Sequence, residues 1–279
     1  MSKHTTFRIG GPADLYITPK ANQIADVVNL CRQSGVPFFI IGNGSNLLVS
    51  DKGIRGVVIE IGKNCREFQV EGPVIKAQAG VALAALAAQA CRNGLTGLEF
   101  ASGIPGCLGG ALVMNAGAYG GEMKQVVTEV VCLDEEGREK ILLPDELEFG
   151  YRHSIFMEKN YIALSATMKL EEGDAQVIRA RMDELSAQRR AKQPLEFPSA
   201  GSTFKRPEGY FAGKLIMDAG LAGYQVGGAC VSEKHCGFVI NVGDATAADV
   251  KQLMADVDRI VKDKFGVGLE PEVKLIGDF

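Results

Sequence analysis

Ile40-Ile41-Gly42-Asn43-Gly44-Ser45-Asn46-Leu47-Leu48 (residues 40–48) decides the fold class. The apolar run at 36–41 reads as a buried strand. It breaks directly into two glycines that flank an asparagine. Such a loop turns tightly and points successive N–H groups into one concavity, which suits a pyrophosphate. A plain turn between two strands fits the same residues. The loop is not the dinucleotide fingerprint, because position 47 is Leu, and no Gly-Lys-Ser/Thr makes a Walker loop. Upstream, Ile24, Val27, Val28 and Cys31 recur at helical spacing, with Gly35 where a C′ residue belongs. Downstream, 55–61 reads as another buried strand. Helix and strands at this spacing make a small α/β unit.

A second glycine-rich stretch runs Gly103-Ile104-Pro105-Gly106-Cys107-Leu108-Gly109-Gly110-Ala111, then Met114-Asn115-Ala116-Gly117-Ala118-Tyr119-Gly120-Gly121. The chain has 34 glycines among 279 residues, where average usage of about 7% predicts roughly 20. Seven fall between Gly103 and Gly121, in otherwise apolar sequence. Linkers are polar, and collagen needs a period of three, so neither explains the excess. Backbone stripped of side chains over this length can lie flat against a planar ligand. Tight packing between elements is the competing reading.

Farther out, strands are predicted at 73–79, 129–134 and 161–170, and a helix at 81–92 closed by Gly94. Glu171-Glu172-Gly173-Asp174 marks a boundary, followed by a charged helix at 175–190 and an irregular stretch at 193–213. A buried strand is predicted at 237–242. Thr246 with Asp249 opens the clearest helix as a variant capping box. Its apolar face is Val250, Leu253, Met254, Val257, Ile260 and Val261, and it ends before Gly266. A strand-like tail closes the chain at 270–276. The prediction is an α+β protein with domains at 1–172 and 173–279, in line with the length prior.

Composition narrows the function. Charged residues make up 23%, hydrophobic residues 46%, and the net charge is −4. These values fit a soluble globular protein and exclude a disordered chain. No basic cluster recommends a nucleic-acid partner. No apolar run is long enough to span a membrane, and residues 1–6 lack the apolar stretch of a signal peptide. Seven scattered cysteines without a CxxC pair fit reduced thiols in a cytoplasm. His4, His153 and His235 have no ligand spacing, so no metal site is expected.

Three constellations hold candidate chemistry. Gly150-Tyr151-Arg152-His153-Ser154 offers an arginine among residues of little other charge. Pro198-Ser199-Ala200-Gly201-Ser202-Thr203-Phe204-Lys205 offers Ser202, outside any G-x-S-x-G frame and so not an esterase nucleophile. A serine can donate a proton where charged neighbours polarise it. Leu269-Glu270-Pro271-Glu272-Val273-Lys274 offers Glu272 beside an apolar strand, where a carboxylate is costly unless exposed or paired.

Together these motifs resemble the UDP-N-acetylenolpyruvoylglucosamine reductases, the MurB family of peptidoglycan synthesis. The carrying segments are 4–14, 41–49, 103–122, 150–154, 193–207, 227–241 and 269–277, in the family's order across nearly the whole chain. The resemblance implies an FAD-binding fold of the para-cresol methylhydroxylase (vanillyl-alcohol oxidase) type with a smaller α+β substrate domain. It implies FAD held non-covalently by Gly42, Asn43, Gly44, Ser45, Asn46, Gly103, Gly106, Gly109, Gly110, Ala111 and Arg189. NADPH is the implied co-substrate, and a UDP-sugar enolpyruvate the substrate. Ser202 matches the proton donor, and Arg152 and Glu272 match residues flanking the substrate carboxyl. Tyr119, Lys192, Lys205 and His235 are the implied substrate contacts. Two features depart from the commonest pattern. Arg206 stands where Asn often follows the lysine, and the tyrosine-bearing insertion of one family class is missing. Family chains usually begin further upstream, which implies a trimmed start. A cytoplasmic monomer acting only on small molecules is the expected form.

Overall fold

Residues Met1–Phe279 are described by a computed structural model. The chain folds into two compact units, and neither is one continuous stretch. One comprises Leu15–Asn43 and Gly56–Arg189, the other Met1–Asp14, Gly44–Arg55 and Arg190–Phe279. This division differs from a single cut near 172. The reason lies in pairing and burial. Strand Lys274–Ile276 pairs in parallel with Leu47–Val49, and Phe7, Ile9 and Leu48 are buried in the same core as the C-terminal residues.

The first unit has two cores. In the smaller, α1 (Ile24–Gln33) buries Ile24, Val28 and Cys31 against Val57, Ile59 and Ile61. Strands Phe38–Ile41 and Ile54–Glu60 run parallel, with Phe38 opposite Val57. Gly35 ends α1 at φ 62°, a left-handed position that favours glycine. In the larger core, α2 (Leu83–Arg92) turns Leu83, Leu86, Ala87 and Ala90 inward. They pack with Ile75, Ala77, Val130 and Ala166 from an antiparallel sheet. Its strand order is Glu139–Leu142, Val127–Leu133, Ile162–Lys169, Val74–Gln78, Phe68–Glu71. The short α3 (Leu108–Val113) lies within the glycine-rich segment. The highly charged α4 (Ala175–Lys192) buries only Ile178, Met182 and Leu185, a narrow seam at i, i+4, i+7. Asp174 Oδ1 accepts the Gln176 N–H at 2.7 Å and so caps its start.

The second unit is built around two helices and a small sheet. The irregular stretch expected at 193–213 ends in α5 (Ala212–Asp218), which buries Ala212, Leu215 and Ile216. Helix α6 (Ala247–Phe265) buries Val250, Leu253, Met254, Val257 and Val261, while Ile260 lies at the margin of the same face. Thr246 Oγ1 accepts the Asp249 N–H at 3.0 Å, and the Asp249 carboxylate accepts the Thr246 N–H at 2.9 Å. Gly266 closes the helix at φ 70°. Strand Val239–Asn241 pairs antiparallel with Ala229–Val231.

Candidate active site

The 42–46 loop is shared between the two units at Asn43/Gly44. In the first unit, a Cβ on Gly42 would collide with Cys107 Sγ, and Asn43 Nδ2 donates to the Pro105 carbonyl at 3.4 Å. The two glycine-rich segments therefore touch. In the second unit, Gly44 has φ 59° and its carbonyl accepts the Thr6 N–H at 3.2 Å. Asn46 Nδ2 donates to the Glu272 carbonyl at 3.1 Å, and the Lys274 N–H donates to the Asn46 carbonyl at 2.9 Å. Ser45 is half-buried between these anchors.

The 103–121 segment does not lie flat. It contains α3 and a tight hairpin in which Gly117 pairs with Glu122 and Ala118 with Gly121. Tyr119 and Gly120 form its turn at φ 54° and 89°, the two positive values a type I′ turn requires. Most of the glycines meet protein. A Cβ on Gly109 would stand 3.1 Å from Ala79 Cβ, and one on Gly103 3.1 Å from Arg189 Cδ. Gly121 faces the Phe100 ring. Gly106 accepts the Leu83 N–H at 3.1 Å, and the Ala111 N–H donates to Cys107. Gly110 is different: it is exposed, and a Cβ there would meet nothing within 4 Å. The Arg189 guanidinium donates to the Gly103 carbonyl. Burial pushes its pKa down, against the opposing pull of Tyr119.

Arg152 is half-buried at φ 54°. Its Nη2 donates to the Gly117 carbonyl at 3.1 Å, and its guanidinium lies 5.3 Å from the Tyr151 ring centre. Asn115, to which the sequence reading gives no role, builds this corner. It is fully buried. Its Nδ2 donates to Glu122 at 2.9 Å and to the Gly150 carbonyl at 3.0 Å, and its Oδ1 accepts the Lys124 N–H at 2.9 Å. Ser154, also fully buried, donates to the Val113 carbonyl at 2.7 Å. The hairpin bearing Tyr119 and the turn bearing Arg152 are thus tied to one framework. A signal for Asn115 existed: a lone amide inside an apolar segment must be satisfied if buried. Beside this corner, Glu148, His153 and Glu158 bring possible ligand atoms within 4.8 Å of one another, a grouping that histidine spacing alone does not reveal.

In the second unit the link between Ser202 and Glu272 runs through Thr203. Thr203 is buried, its N–H donates to the Gly237 carbonyl at 2.8 Å, and its Oγ1 accepts the Val239 N–H at 2.9 Å. Its own carbonyl accepts the Glu272 N–H at 2.8 Å. Phe204 bridges to Pro271 next along. Ser202 is exposed beside this anchor, and Glu272 is half-buried. Lys205 Nζ lies 2.6 Å from Glu270 Oε1. Burial depresses the Lys274 pKa, and the Lys205 charge adds to this. His235 Nδ1 accepts the Gly237 N–H at 3.1 Å and its ring meets Phe238 edge-on at 5.0 Å. Burial lowers its pKa, which favours the neutral ring. Lys192 is exposed at the end of α4.

Comparison with known proteins places these features. A family profile described as an FAD binding domain matches residues 13–142. One described as the C-terminal domain of UDP-N-acetylenolpyruvoylglucosamine reductase matches 193–276. The UDP-N-acetylenolpyruvoylglucosamine reductase of Agathobacter rectalis is 57% identical over all of this chain and 93% of its own length. That of Caldanaerobacter subterraneus is 54% identical, covering 100% of this chain and 92% of the relative. The crystal structure of the Thermus caldophilus enzyme superposes with a TM-score of 0.85 at 36% identity, over 99% of this chain and 97% of that one. The architecture is the α+β, para-cresol methylhydroxylase-type FAD-binding fold that the sequence leads one to expect. Near-complete coverage at this identity means that the chain belongs to the UDP-N-acetylenolpyruvoylglucosamine reductase family.

Proposed function

We propose that the chain reduces UDP-N-acetylglucosamine enolpyruvate to UDP-N-acetylmuramate with NADPH, and that Ser202, Arg152 and Glu272 act on the enolpyruvyl group. FAD is the cofactor. The residues fit it. The space outside Gly110 is one that any side chain would fill, and Asn43 and Arg189 hold the neighbouring loops in place. The 42–46 loop would take the pyrophosphate, with 103–111 beside the ring system. FAD bound there would supply the hydride chemistry between NADPH and the vinyl CH2 carbon of the substrate.

The chain's own residues handle charge and the proton. Hydride addition to the CH2 carbon drives electron density onto the carboxylate-bearing carbon and its carboxyl. A guanidinium paired with that carboxylate stabilises the enolate-like charge, and this is the role of Arg152. Ser202 delivers a proton to the same carbon, completing the lactyl ether. A serine hydroxyl is a weak acid, so position and nearby charge must make the transfer effective. Glu272 flanks the carboxyl, held by its backbone bond to Thr203 next to Ser202. Tyr119, Lys192, Lys205 and His235 are assigned to substrate binding.

The observation that carries this reading is the 2.8 Å bond from the Glu272 N–H to the Thr203 carbonyl. It fixes the backbone of the proposed carboxyl-flanking residue to that of Thr203, the residue next to the proposed proton donor. The test separates the half-reactions under anaerobic conditions. Ser202→Ala should leave reduction by NADPH intact and slow oxidation by the enolpyruvyl substrate by roughly 10²–10⁴-fold. Equal losses in both halves would remove Ser202 from the role. No helix is long and apolar enough to cross a membrane. A cytoplasmic monomer is the form proposed, and light scattering of the purified holoenzyme checks the second part.

A further inference from the structure

We propose that the exposed pair Tyr210–Phe211, with Arg206 laid across Phe211, is the stacking platform for the nucleobase of the UDP-sugar substrate. This rests on the reaction proposed above and goes beyond it by assigning the distal end of the substrate. Two adjacent aromatic rings stand in solvent, Tyr210 at 47% and Phe211 at 59% relative exposure. An exposed phenyl ring forgoes burial, which the core a few residues away would supply at Ala212 and Leu215. The rings are nevertheless held on fixed backbone. The Tyr210 N–H donates to the Pro207 carbonyl at 3.1 Å across a turn with Gly209 at φ 74°. The Phe211 carbonyl accepts the Lys214 and Leu215 N–H groups, both at 3.0 Å.

Arg206 supplies the second observation. Its guanidinium carbon lies 4.2 Å from the Phe211 ring centre, whereas every other cation-over-ring contact in the chain lies between 5.2 and 5.8 Å. At that distance the guanidinium lies over the ring in close cation–π contact. Such a guanidinium–aromatic pair offers a flat, cationic surface of the kind on which bases stack. The platform also lies on the right piece of chain. Ser202 and Arg206 are four residues apart and so at most about 14 Å from each other along extended backbone. The intervening residues are pinned by Phe204 to Pro271 and by the Lys205 N–H to the Glu270 carbonyl at 2.8 Å. A substrate with its carboxyl end at Ser202 and Glu272 runs past Lys205 and Arg206, whose charges complement a diphosphate, before its base reaches Phe211.

Stacking rewards the presence of a base more than its identity. The experiment therefore compares two substrates on the holoenzyme: the full UDP-sugar enolpyruvate, and the same enolpyruvyl sugar 1-phosphate lacking the nucleoside. Phe211→Ala and Arg206→Ala should each raise KM for the full substrate about tenfold, near 1.4 kcal/mol in binding, with kcat changed by less than about threefold. KM for the truncated substrate should not move in Phe211→Ala and should rise less than that of the full substrate in Arg206→Ala, whose charge also faces the retained phosphate, and Phe211→Trp should keep the wild-type value. Flavin reduction by NADPH in each variant reports that the protein has folded. If the wild type turns over the full substrate but the variants leave its KM unchanged, or shift both substrates equally, the platform assignment is wrong while the reaction stands. If the wild type turns over neither substrate, the reaction and the platform fall together.

Discussion

Glycines 109 and 110 are adjacent in sequence but meet opposite surroundings, and this separates two causes that composition merges. Gly109 is glycine because Ala79 is too close: a Cβ would stand 3.1 Å from Ala79 Cβ and 3.3 Å from its carbonyl oxygen. Gly110 has open space, so no contact within the chain demands glycine there. Gly109→Ala should therefore destabilise the apoprotein by about 1–3 kcal/mol through overpacking. Gly110→Ala should stabilise it by roughly 0.5–1 kcal/mol, because alanine is the better helix former, while weakening FAD binding. Denaturation of apoprotein and fluorescence titration of FAD read the two effects separately. An unchanged FAD affinity in Gly110→Ala would take that position out of the cofactor site. Much of the sequence's glycine excess is thus packing, and only a structure can tell which residues are the exceptions. The same holds for Asn115 and Thr203. Their importance lies in which backbone groups they satisfy, and partners distant in the chain leave no mark in local sequence.

Elements were legible in proportion to length and periodicity. Helix α6 carries both a repeating apolar face and its own start and stop signals, and its bounds fall where those signals put them. Helices α3 and α5, of six and seven residues, are too short for a period to emerge, and α3 is masked by two glycines that read as loop. The strand pair Leu47–Val49 and Lys274–Ile276 joins parts of the chain that no local pattern connects. The capping box of α6 gives a direct check on the local reading. Thr246→Ala removes the side-chain acceptor of the Asp249 N–H and should cost about 1 kcal/mol. Asp249→Asn should cost less, because an amide oxygen still reaches the Thr246 N–H. A Thr246→Ala loss below a few tenths of a kcal/mol in urea denaturation would mean that tertiary packing of the apolar face alone holds the helix start.

At the scale of the molecule, the two-part organisation was visible in sequence but its boundary was not. A boundary read from composition assumes that each part is continuous, whereas here each unit gathers separate stretches of chain, and the first unit does so around two cores. Residues from Phe7 and Leu48 to Val273 share one cluster, and residues from Ile75 to Met182 share another. This predicts how damage combines. Leu86 and Leu253 are both fully buried, one in each cluster. Each Leu→Ala substitution should cost about 2–5 kcal/mol, the range set by how far a cavity can relax. Because no side chain belongs to both clusters, the double variant should lose the sum to within about 0.5 kcal/mol, provided unfolding remains a single transition. If the units unfold in separate steps, each substitution should move only the step of its own unit, and the two shifts should again be independent. A coupling above about 1 kcal/mol between Leu86 and Leu253 would mean that the two clusters respond as one core, and the division of the chain drawn from its contacts would have to be abandoned.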